Sequence, residues 1–207
     1  MLELVIFDAD GVLFDSTESN TAYYNAIFDQ IGEPPMDPAE ERAGVFMSAV
    51  QIFEQRAKGD RAIVERMREV ARTLDSTPFF KLLRPYPELR SLLLGIKRAY
   101  RMGLATNRSA TIPAIIEYLG IADLFDAIAS ARDKVRPKPA PDIVQLCLER
   151  AGVRPDRAVY VGDSETDRIA AESAGTHFIG VGDRAPHRNQ IAALERLPQK
   201  LRDLFVR

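Results

Sequence analysis

The sequence is poor in cysteine and histidine. Its 207 residues include one cysteine, Cys147, and two histidines, His177 and His187. A single cysteine cannot form an internal disulfide. With no cluster of thiol or imidazole groups, the softer transition metals lack their usual ligands. A metal site in this chain would therefore be built from oxygen atoms.

Net charge and long apolar runs are also lacking. The chain has 28 Lys and Arg against 30 Asp and Glu, a formal net charge of -2. This balance gives no electrostatic reason for a nucleic-acid or membrane-surface partner. No apolar run approaches the length of a membrane span, and the acidic start lacks the features of a secretory signal. We expect a cytoplasmic protein without nucleic-acid or membrane partners.

Short apolar runs alternate with helical patterns along most of the chain. The predicted strands are residues 2–7, 102–106, 127–130, 158–162 and 177–181. The predicted helices between them are residues 89–100, 111–119, 141–151 and 166–174. This alternation predicts an α/β fold with a parallel sheet covered on both faces. Ligands of such sheets bind beyond the carboxyl ends of the strands.

The segment 17–83 breaks this alternation. It shows no strand pattern, but helix candidates at 19–31, about 48–58 and 60–74, separated by Gly and Pro turn signals. We therefore predict a helical domain, residues 17–83, inserted into a core formed by residues 1–16 and 84–207.

Polar side chains follow several of the predicted strands. They are Asp8 and Asp10, Thr106 and Asn107, Lys138, and Asp163 with Asp167. Because parallel strands end at the same edge of a sheet, we expect these groups to meet in one crevice. Carboxylates a few ångströms apart repel each other by roughly a few kcal/mol. Such a cluster needs a cation, and hard carboxylate oxygens suit Mg²⁺.

This predicted cluster has the parts that phosphoryl transfer needs. A metal ion and Lys138 would stabilise charge on a transferring phosphoryl group. Asp8 could act as a nucleophile and form an aspartyl-phosphate. Asp10, two residues later and on the same side of an extended chain, could protonate the leaving alcohol and then activate water.

Four sequence motifs strengthen this interpretation. They are Asp8-Ala9-Asp10-Gly11-Val12, Thr106-Asn107-Arg108, Lys138-Pro139-Ala140-Pro141-Asp142 and Gly162-Asp163-Ser164-Glu165-Thr166-Asp167. In this order the sequence resembles the haloacid dehalogenase superfamily, and four ordered motifs are a specific signal. The resemblance implies a Rossmann-like α/β core with a helical cap inserted after the first strand.

The same resemblance implies roles for individual residues. Asp8 would be the nucleophile and a Mg²⁺ ligand, and Asp10 the general acid and base, with its backbone carbonyl on the metal. Thr106 and the Asn107 backbone would hold phosphate oxygens, and Lys138 would neutralise the nucleophile and the phosphoryl charge. Asp163 would be a metal ligand, and Asp167 a ligand through water or an orienting acid.

The resemblance also narrows the chemistry. Family members that cleave carbon–halogen or carbon–phosphorus bonds lack an acid at the position of Asp10, so its presence favours phosphate esters. We expect a phosphatase that acts on a small phosphorylated metabolite, similar to the phosphoglycolate phosphatases. Residues 42–45 resemble a cap loop that faces the active site, which makes Arg42 a candidate for substrate binding.

Several alternatives remain open at this stage. A phosphomutase of the β-phosphoglucomutase kind is one, although such enzymes often have a histidine where this chain has Asn20. A phosphate-binding protein without catalysis is another, although a binder has no need of Asp10. Asp8 and Asp10 alone could be turn residues, Lys138 a solvated loop residue, and Asp167 part of a helix surface.

Overall fold

The chain forms two compact units. The computed structural model describes residues 1–44, 47–108, 111–184 and 187–205. One unit contains Met1–Phe14 and Pro85–Arg207, and the other contains Asp15–Arg84. Short paired strands lie where the chain passes from one unit to the other and back. That the second unit serves as a cap stays a prediction.

The first unit is built on a parallel sheet. In chain order the strands are β1 (Leu4–Phe7), β2 (Phe14–Asp15), β3 (Arg84–Pro85), β4 (Arg101–Thr106), β5 (Ala127–Ser130), β6 (Ala158–Gly162) and β7 (His177–Gly180). Five of them form one sheet in the order β5-β4-β1-β6-β7, and β2 pairs with β3. The pairs β1–β4, β1–β6, β4–β5 and β6–β7 are all parallel. The predicted α/β fold is confirmed.

The helices of both units follow in chain order. The α-helices in the described part of the chain are α1 (Thr17–Ile31), α2 (Pro38–Ala43), α3 (Ala49–Ala57), α4 (Arg61–Thr73), α5 (Leu89–Lys97), α6 (Ile112–Tyr118), α7 (Asp142–Ala151), α8 (Glu165–Ser173) and α9 (Leu197–Phe205). Short 3₁₀ turns occupy Thr77–Leu82, Ala122–Leu124, Ala131–Asp133, Pro155–Arg157 and Leu194–Arg196.

The central strand explains the strand pattern of the sequence. All four residues of β1 are buried, because helices cover both faces of a parallel sheet. Helix α7 packs against β4 and β5 and places Cys147 in the core. A Cβ atom on Gly103 would lie 2.6 Å from the Cys147 sulfur, so glycine lets the helix approach the sheet. Cys147 is therefore a core residue, as its apolar neighbours predict.

The second unit has a hydrophobic core of its own. Tyr24, Phe28, Phe53 and Met67 are buried between its helices. The guanidinium of Arg56 lies 4.4 Å from the centre of the Phe28 ring and also pairs with Glu40. Arg56 therefore contributes to the packing of this unit.

Two helices were absent from the predicted pattern. Helix α2 is short, with no buried residue, so it has no apolar stripe to detect. Its start is encoded by a capping box, in which Asp37 accepts from the backbone of Glu40 and Glu40 accepts from that of Asp37. Helix α9 follows the last strand of the sheet.

Within the described residues, no helix combines the length and apolar character needed to cross a bilayer.

Candidate active site

The ends of β1, β4 and β6 bring the predicted acids to one edge of the sheet. Phe7, the last residue of β1, is in register with Leu104 of β4 and Val161 of β6. The chain stays aligned one residue further, because the Asp8 amide donates to the Val161 carbonyl at 2.9 Å. Asp8 therefore lies beside Ala105 and Gly162, the residues that directly precede Thr106 and Asp163.

The buried ammonium of Lys138 joins three oxygen atoms from different parts of the sequence. Its Nζ lies 2.8 Å from Asp8 Oδ1 and 2.5 Å from Asp167 Oδ1, and it donates to the Tyr160 hydroxyl at 2.9 Å. Tyr160 in turn donates to the Ala105 carbonyl at 2.6 Å. The ammonium thus donates hydrogen bonds to Tyr160 and Asp167 and forms an ion pair with Asp8, whose Oδ1 is buried and has no aligned hydrogen-bond donor among the described residues. The structure thus brings Lys138 together with Asp8 and Asp167, and its burial excludes the solvated-loop alternative.

Asp167 belongs both to a helix cap and to this cluster. Ser164 caps α8 by accepting from the Asp167 amide, and Asp167 Oδ2 accepts from the Ser164 amide at 3.1 Å. The same oxygen accepts from the Asp163 amide at 3.2 Å, while Oδ1 faces Lys138. The side chain is completely buried. The helix-surface alternative for Asp167 is therefore wrong, and its role as a metal ligand through water or as an orienting acid stays a prediction.

Burial changes the acidity of two of these groups. Loss of solvent raises the pKa of Asp8 from 3.8 to about 8, against the opposing charge of Lys138. Burial also raises the pKa of Asp163 to about 7, and the neighbouring Asp167 adds to this rise. Both shifts express the cost of keeping negative charge in a confined volume without enough positive charge. A bound cation would reverse them.

The carboxylates fit a hard cation. Ligand atoms of Asp8, Asp163 and Asp167 lie within 4.8 Å of one another, and all three residues are buried. Asp163 Oδ2 is buried and accepts no hydrogen bond from the described residues. Its nearest described positive charge is the Arg184 guanidinium, 3.5 Å away. A buried carboxylate oxygen without a donor is costly unless a cation binds it.

Gly11 makes room for this oxygen. A Cβ atom on Gly11 would lie 1.9 Å from Asp163 Oδ2, well inside van der Waals contact. The residue also has a φ of +73°, in the left-handed region that favours glycine. The Asp-Gly pair after β1 is thus a tight turn, and its glycine also admits the Asp163 carboxylate.

The predicted phosphate-binding motif is close to this cluster, and its side chains contact neighbouring backbone groups. Thr106 is buried at the end of β4, and its Oγ1 accepts from the Arg108 amide at 3.3 Å. The Asn107 side chain binds the Lys138 backbone on both sides, donating to the carbonyl at 3.1 Å and accepting from the amide at 2.8 Å. Asn107 therefore fixes the loop that carries Lys138. That its backbone binds phosphate stays a prediction.

Asp10 is held by an arginine that sequence reasoning gave no role. Arg108 Nε lies 2.7 Å from Asp10 Oδ2 and 3.0 Å from Oδ1, and Nη2 lies 2.8 Å from Oδ1. Both side chains are largely buried, at 14% and 13% exposed. The pair joins the end of β1 to the end of β4 across the adjacent strands.

Of the remaining residues that could serve the site, one was predicted from the sequence and two were not. Arg42 lies near the end of α2 in the second unit and is exposed, and its role stays a prediction; residue 45 of its predicted loop lies outside the described residues. Tyr160 was missed, although a tyrosine in a buried strand needs a partner for its hydroxyl. Arg184 follows β7 in a loop, and only the strand-end rule could have indicated it.

Comparison with known proteins agrees with this geometry. Residues 5–181 match the family model of haloacid dehalogenase-like hydrolases, and the chain belongs to that family.

Two relatives and one solved structure illustrate the similarity. The chain is 30% identical over 198 residues to a phosphoglycolate phosphatase of Chromobacterium violaceum, covering 87% of this chain and 85% of the relative. It is 28% identical over 205 residues to the pyrophosphatase PpaX of Bacillus velezensis, covering 97% and 94%. The structure of CbbY from Rhodobacter sphaeroides in complex with phosphate superposes with a TM-score of 0.75 at 25% identity, covering 95% and 96%.

Proposed function

We propose that this chain is a Mg²⁺-dependent phosphatase that hydrolyses a small phosphate monoester through an aspartyl-phosphate on Asp8. The observation that carries the proposal is the buried Lys138 ammonium between Asp8 and Asp167, beside an Asp163 oxygen that no described donor satisfies. Relatives named as a phosphoglycolate phosphatase and a pyrophosphatase, and a structural relative crystallised with phosphate, support this choice of substrate class.

In the first step, an oxygen of Asp8 attacks phosphorus and the bond from phosphorus to the alcohol oxygen breaks. Asp10 delivers a proton to that oxygen, and the alcohol leaves. In the second step, Asp10 takes a proton from water, whose oxygen attacks phosphorus and displaces Asp8. The products are the alcohol and inorganic phosphate, and both acids return to their starting forms.

Lys138 and the backbone around it orient the first step. The ammonium lies 2.8 Å from Asp8 Oδ1, so it holds that oxygen and leaves the other to react. Tyr160, Asp167 and the Asn107 clasp of the Lys138 backbone fix this position before substrate binds. Such preorganised positive charge stabilises the transition state more than charge that must move into place.

The metal would be held by Asp8, Asp163 and the Asp10 backbone carbonyl, with Asp167 behind them. When bound, Mg²⁺ supplies positive charge that offsets repulsion between the carboxylates and the phosphate. We further propose that the unit Asp15–Arg84 is the cap that excludes bulk water during the reaction, with Arg42 toward the substrate. The cytoplasmic location stays a prediction.

The proposal predicts metal-dependent release of phosphate. Phosphate release from p-nitrophenyl phosphate and from a panel of phosphorylated metabolites should require Mg²⁺ and fall to background in excess EDTA. Inorganic phosphate should be the phosphorus-containing product. Equal rates with and without EDTA would refute the metal requirement. Formation of an isomeric phosphate ester primed by a bisphosphorylated sugar would identify a mutase instead.

A second prediction concerns the close approach at Gly11. In Gly11→Ala the new Cβ would lie 1.9 Å from Asp163 Oδ2 and therefore displaces this carboxylate. A misplacement of about 1 Å at a reacting site costs about 10²-fold in kcat/KM. Gly32→Ala is the matched control, because Gly32 has a φ of +79° with no described atom within 4 Å of an added Cβ. Both variants bear a similar backbone cost of about 1–2 kcal/mol.

The two variants are compared by urea unfolding and by the Mg²⁺ dependence of phosphate release. We expect Gly11→Ala to lose at least as much stability as Gly32→Ala, since it also displaces the buried Asp163 carboxylate, and a loss of activity and Mg²⁺ affinity in Gly11→Ala alone. Equal activity in the two variants would show that the space at Gly11 does not serve the Asp163 carboxylate.

A further inference from the structure

The ion pair between Arg108 and Asp10 has the geometry of a recognition site. Three contacts of 2.7 to 3.0 Å join the guanidinium to both oxygens of one carboxylate. This is the fork by which arginine selects planar oxyanions. The pair lies within one unit of the chain and therefore does not depend on the position of the other.

The guanidinium is held in place by its surroundings as well as by Asp10. Its Nη1 donates to Thr111 Oγ1 at 3.3 Å, and its central carbon lies 5.6 Å from the centre of the Phe14 ring. Only 14% of the side chain is exposed. An arginine fixed in this way keeps its binding geometry when the carboxylate moves, because its other contacts remain.

The Arg108–Asp10 pair, as observed, blocks the role of general acid that the proposed function gives to Asp10. A general acid must direct a proton from one of its oxygens to the leaving oxygen, and both Asp10 oxygens face Arg108. At least one contact has to open in each turnover. Opening it removes one charged acceptor from a largely buried guanidinium, which is unfavourable unless another oxyanion takes the position.

The substrate is the natural source of that oxyanion. The leaving alcohol must lie against Asp10, so the substituents of the alcohol lie near the partner of Asp10, which is Arg108. A carboxylate or second phosphoryl group on the alcohol would offer the guanidinium the same pair of oxygens that Asp10 offers. A neutral alcohol could not make this exchange.

We propose that Arg108 is a specificity-determining residue that binds an anionic group on the leaving-group side of the substrate, and that this exchange frees Asp10 for proton transfer. The inference rests on the proposed function and names its substrate class: phosphate monoesters of small alcohols that carry a second oxyanion. No covalent bond changes in the exchange, since one ion pair replaces another.

The test uses substrate pairs that differ only in the second charge. One pair is 2-phosphoglycolate and its amide, in which a neutral carboxamide replaces the carboxylate. The other pair is ethylene glycol bisphosphate and ethylene glycol monophosphate, in which a neutral hydroxyl replaces the second phosphoryl group. The first pair tests a carboxylate and the second a phosphoryl group. For each pair, the measured quantity is the ratio of kcat/KM for the more charged substrate to that for its partner.

Wild-type protein should favour the charged member of at least one pair, and Arg108→Gln should lower that ratio by about 10- to 100-fold, the range for a charge-assisted hydrogen bond. Arg108→Lys, which keeps the charge but loses the fork, should fall between them. Arg90→Gln is the matched control. It breaks another bidentate pair, with Asp123 at 2.7 and 2.9 Å, on the protein surface, and should leave the ratio at the wild-type value.

Two results would overturn the inference while leaving the proposed function intact. One is a wild-type enzyme that turns over both members of each pair without preference. The other is an Arg108→Gln variant that loses activity equally on both members, which would limit Arg108 to holding Asp10 in place. Absence of Mg²⁺-dependent turnover of every substrate would instead refute the proposed function, and the inference with it.

Discussion

Asp8→Asn is expected to lower the rate of phosphate release by about 10⁴-fold or more, the order seen when an enzyme loses its nucleophile. The amide oxygen of asparagine is a poor nucleophile for phosphorus. The other described carboxylate that contacts Lys138 is that of Asp167, which is held in the capping box of α8 and cannot replace Asp8. The rate is measured as kcat under saturating Mg²⁺ and substrate.

The same substitution should leave the fold intact. The folded-state pKa of Asp8, about 8, exceeds its ordinary value of 3.8. Ionisation of Asp8 therefore weakens folding as the pH rises from about 4 to 8, and asparagine bears no such cost. We expect the metal-free variant at pH 7 to be at least as stable to urea as the wild type.

A matched control separates the nucleophile from the loss of any aspartate. Asp156→Asn removes an exposed carboxylate from the turn before β6, where its partner is Arg154. This variant should keep wild-type activity. An Asp8→Asn enzyme with more than about a tenth of the wild-type kcat would be inconsistent with the nucleophile set out above.

Lys138→Met is expected to reduce the free energy of unfolding by about 3–5 kcal/mol, because breaking a buried ion pair leaves uncompensated charge in the interior. The charge left without its partner is that of Asp167, which is completely buried 2.5 Å from Lys138, whereas Asp8, with a pKa of about 8, is largely protonated at pH 7. Methionine fills a similar volume, so loss of packing contributes little. Catalysis should also be lost, since Asp8 would no longer be held.

Urea unfolding in EDTA at pH 7 measures this effect. The control is Lys134→Met, in the same loop but at an exposed position, which should change stability by no more than about 0.5 kcal/mol. If Lys138→Met and Lys134→Met unfold at the same urea concentration, the Lys138 ammonium does not hold the site together.

The parts of the fold that could be predicted are those that a local pattern encodes. The runs ending at Phe7, Thr106 and Val161 are apolar because both faces of a parallel sheet are covered. Each run can be recognised in the sequence without knowing which strands it pairs with. Strand-end acids could then be placed at one edge by topology alone. Helix α2 was missed, since it buries no residue in the described structure and so has no periodic apolar face.

The contacts within the site could not be predicted in the same way. Arg108 and Asp10 are 98 residues apart, and Lys138 and Tyr160 are 22 apart. Their pairing depends on side-chain directions and distances that are set only when the sheet forms. Sequence reasoning could place Asp8, Lys138 and Asp163 near one another, but gave no role to the arginine that holds Asp10. The roles assigned to these residues stay predictions until they are tested.

The covalent intermediate is the most direct test of the proposal. Wild-type enzyme mixed with Mg²⁺ and a rapidly cleaved substrate is quenched in acid within the first turnover, digested and mapped by mass spectrometry. The proposal predicts one added phosphoryl group on the peptide containing Asp8, at Asp8 itself, and none in Asp8→Asn. Turnover with no phosphorylated peptide at any quench time, or with the phosphoryl group on another residue, would contradict it.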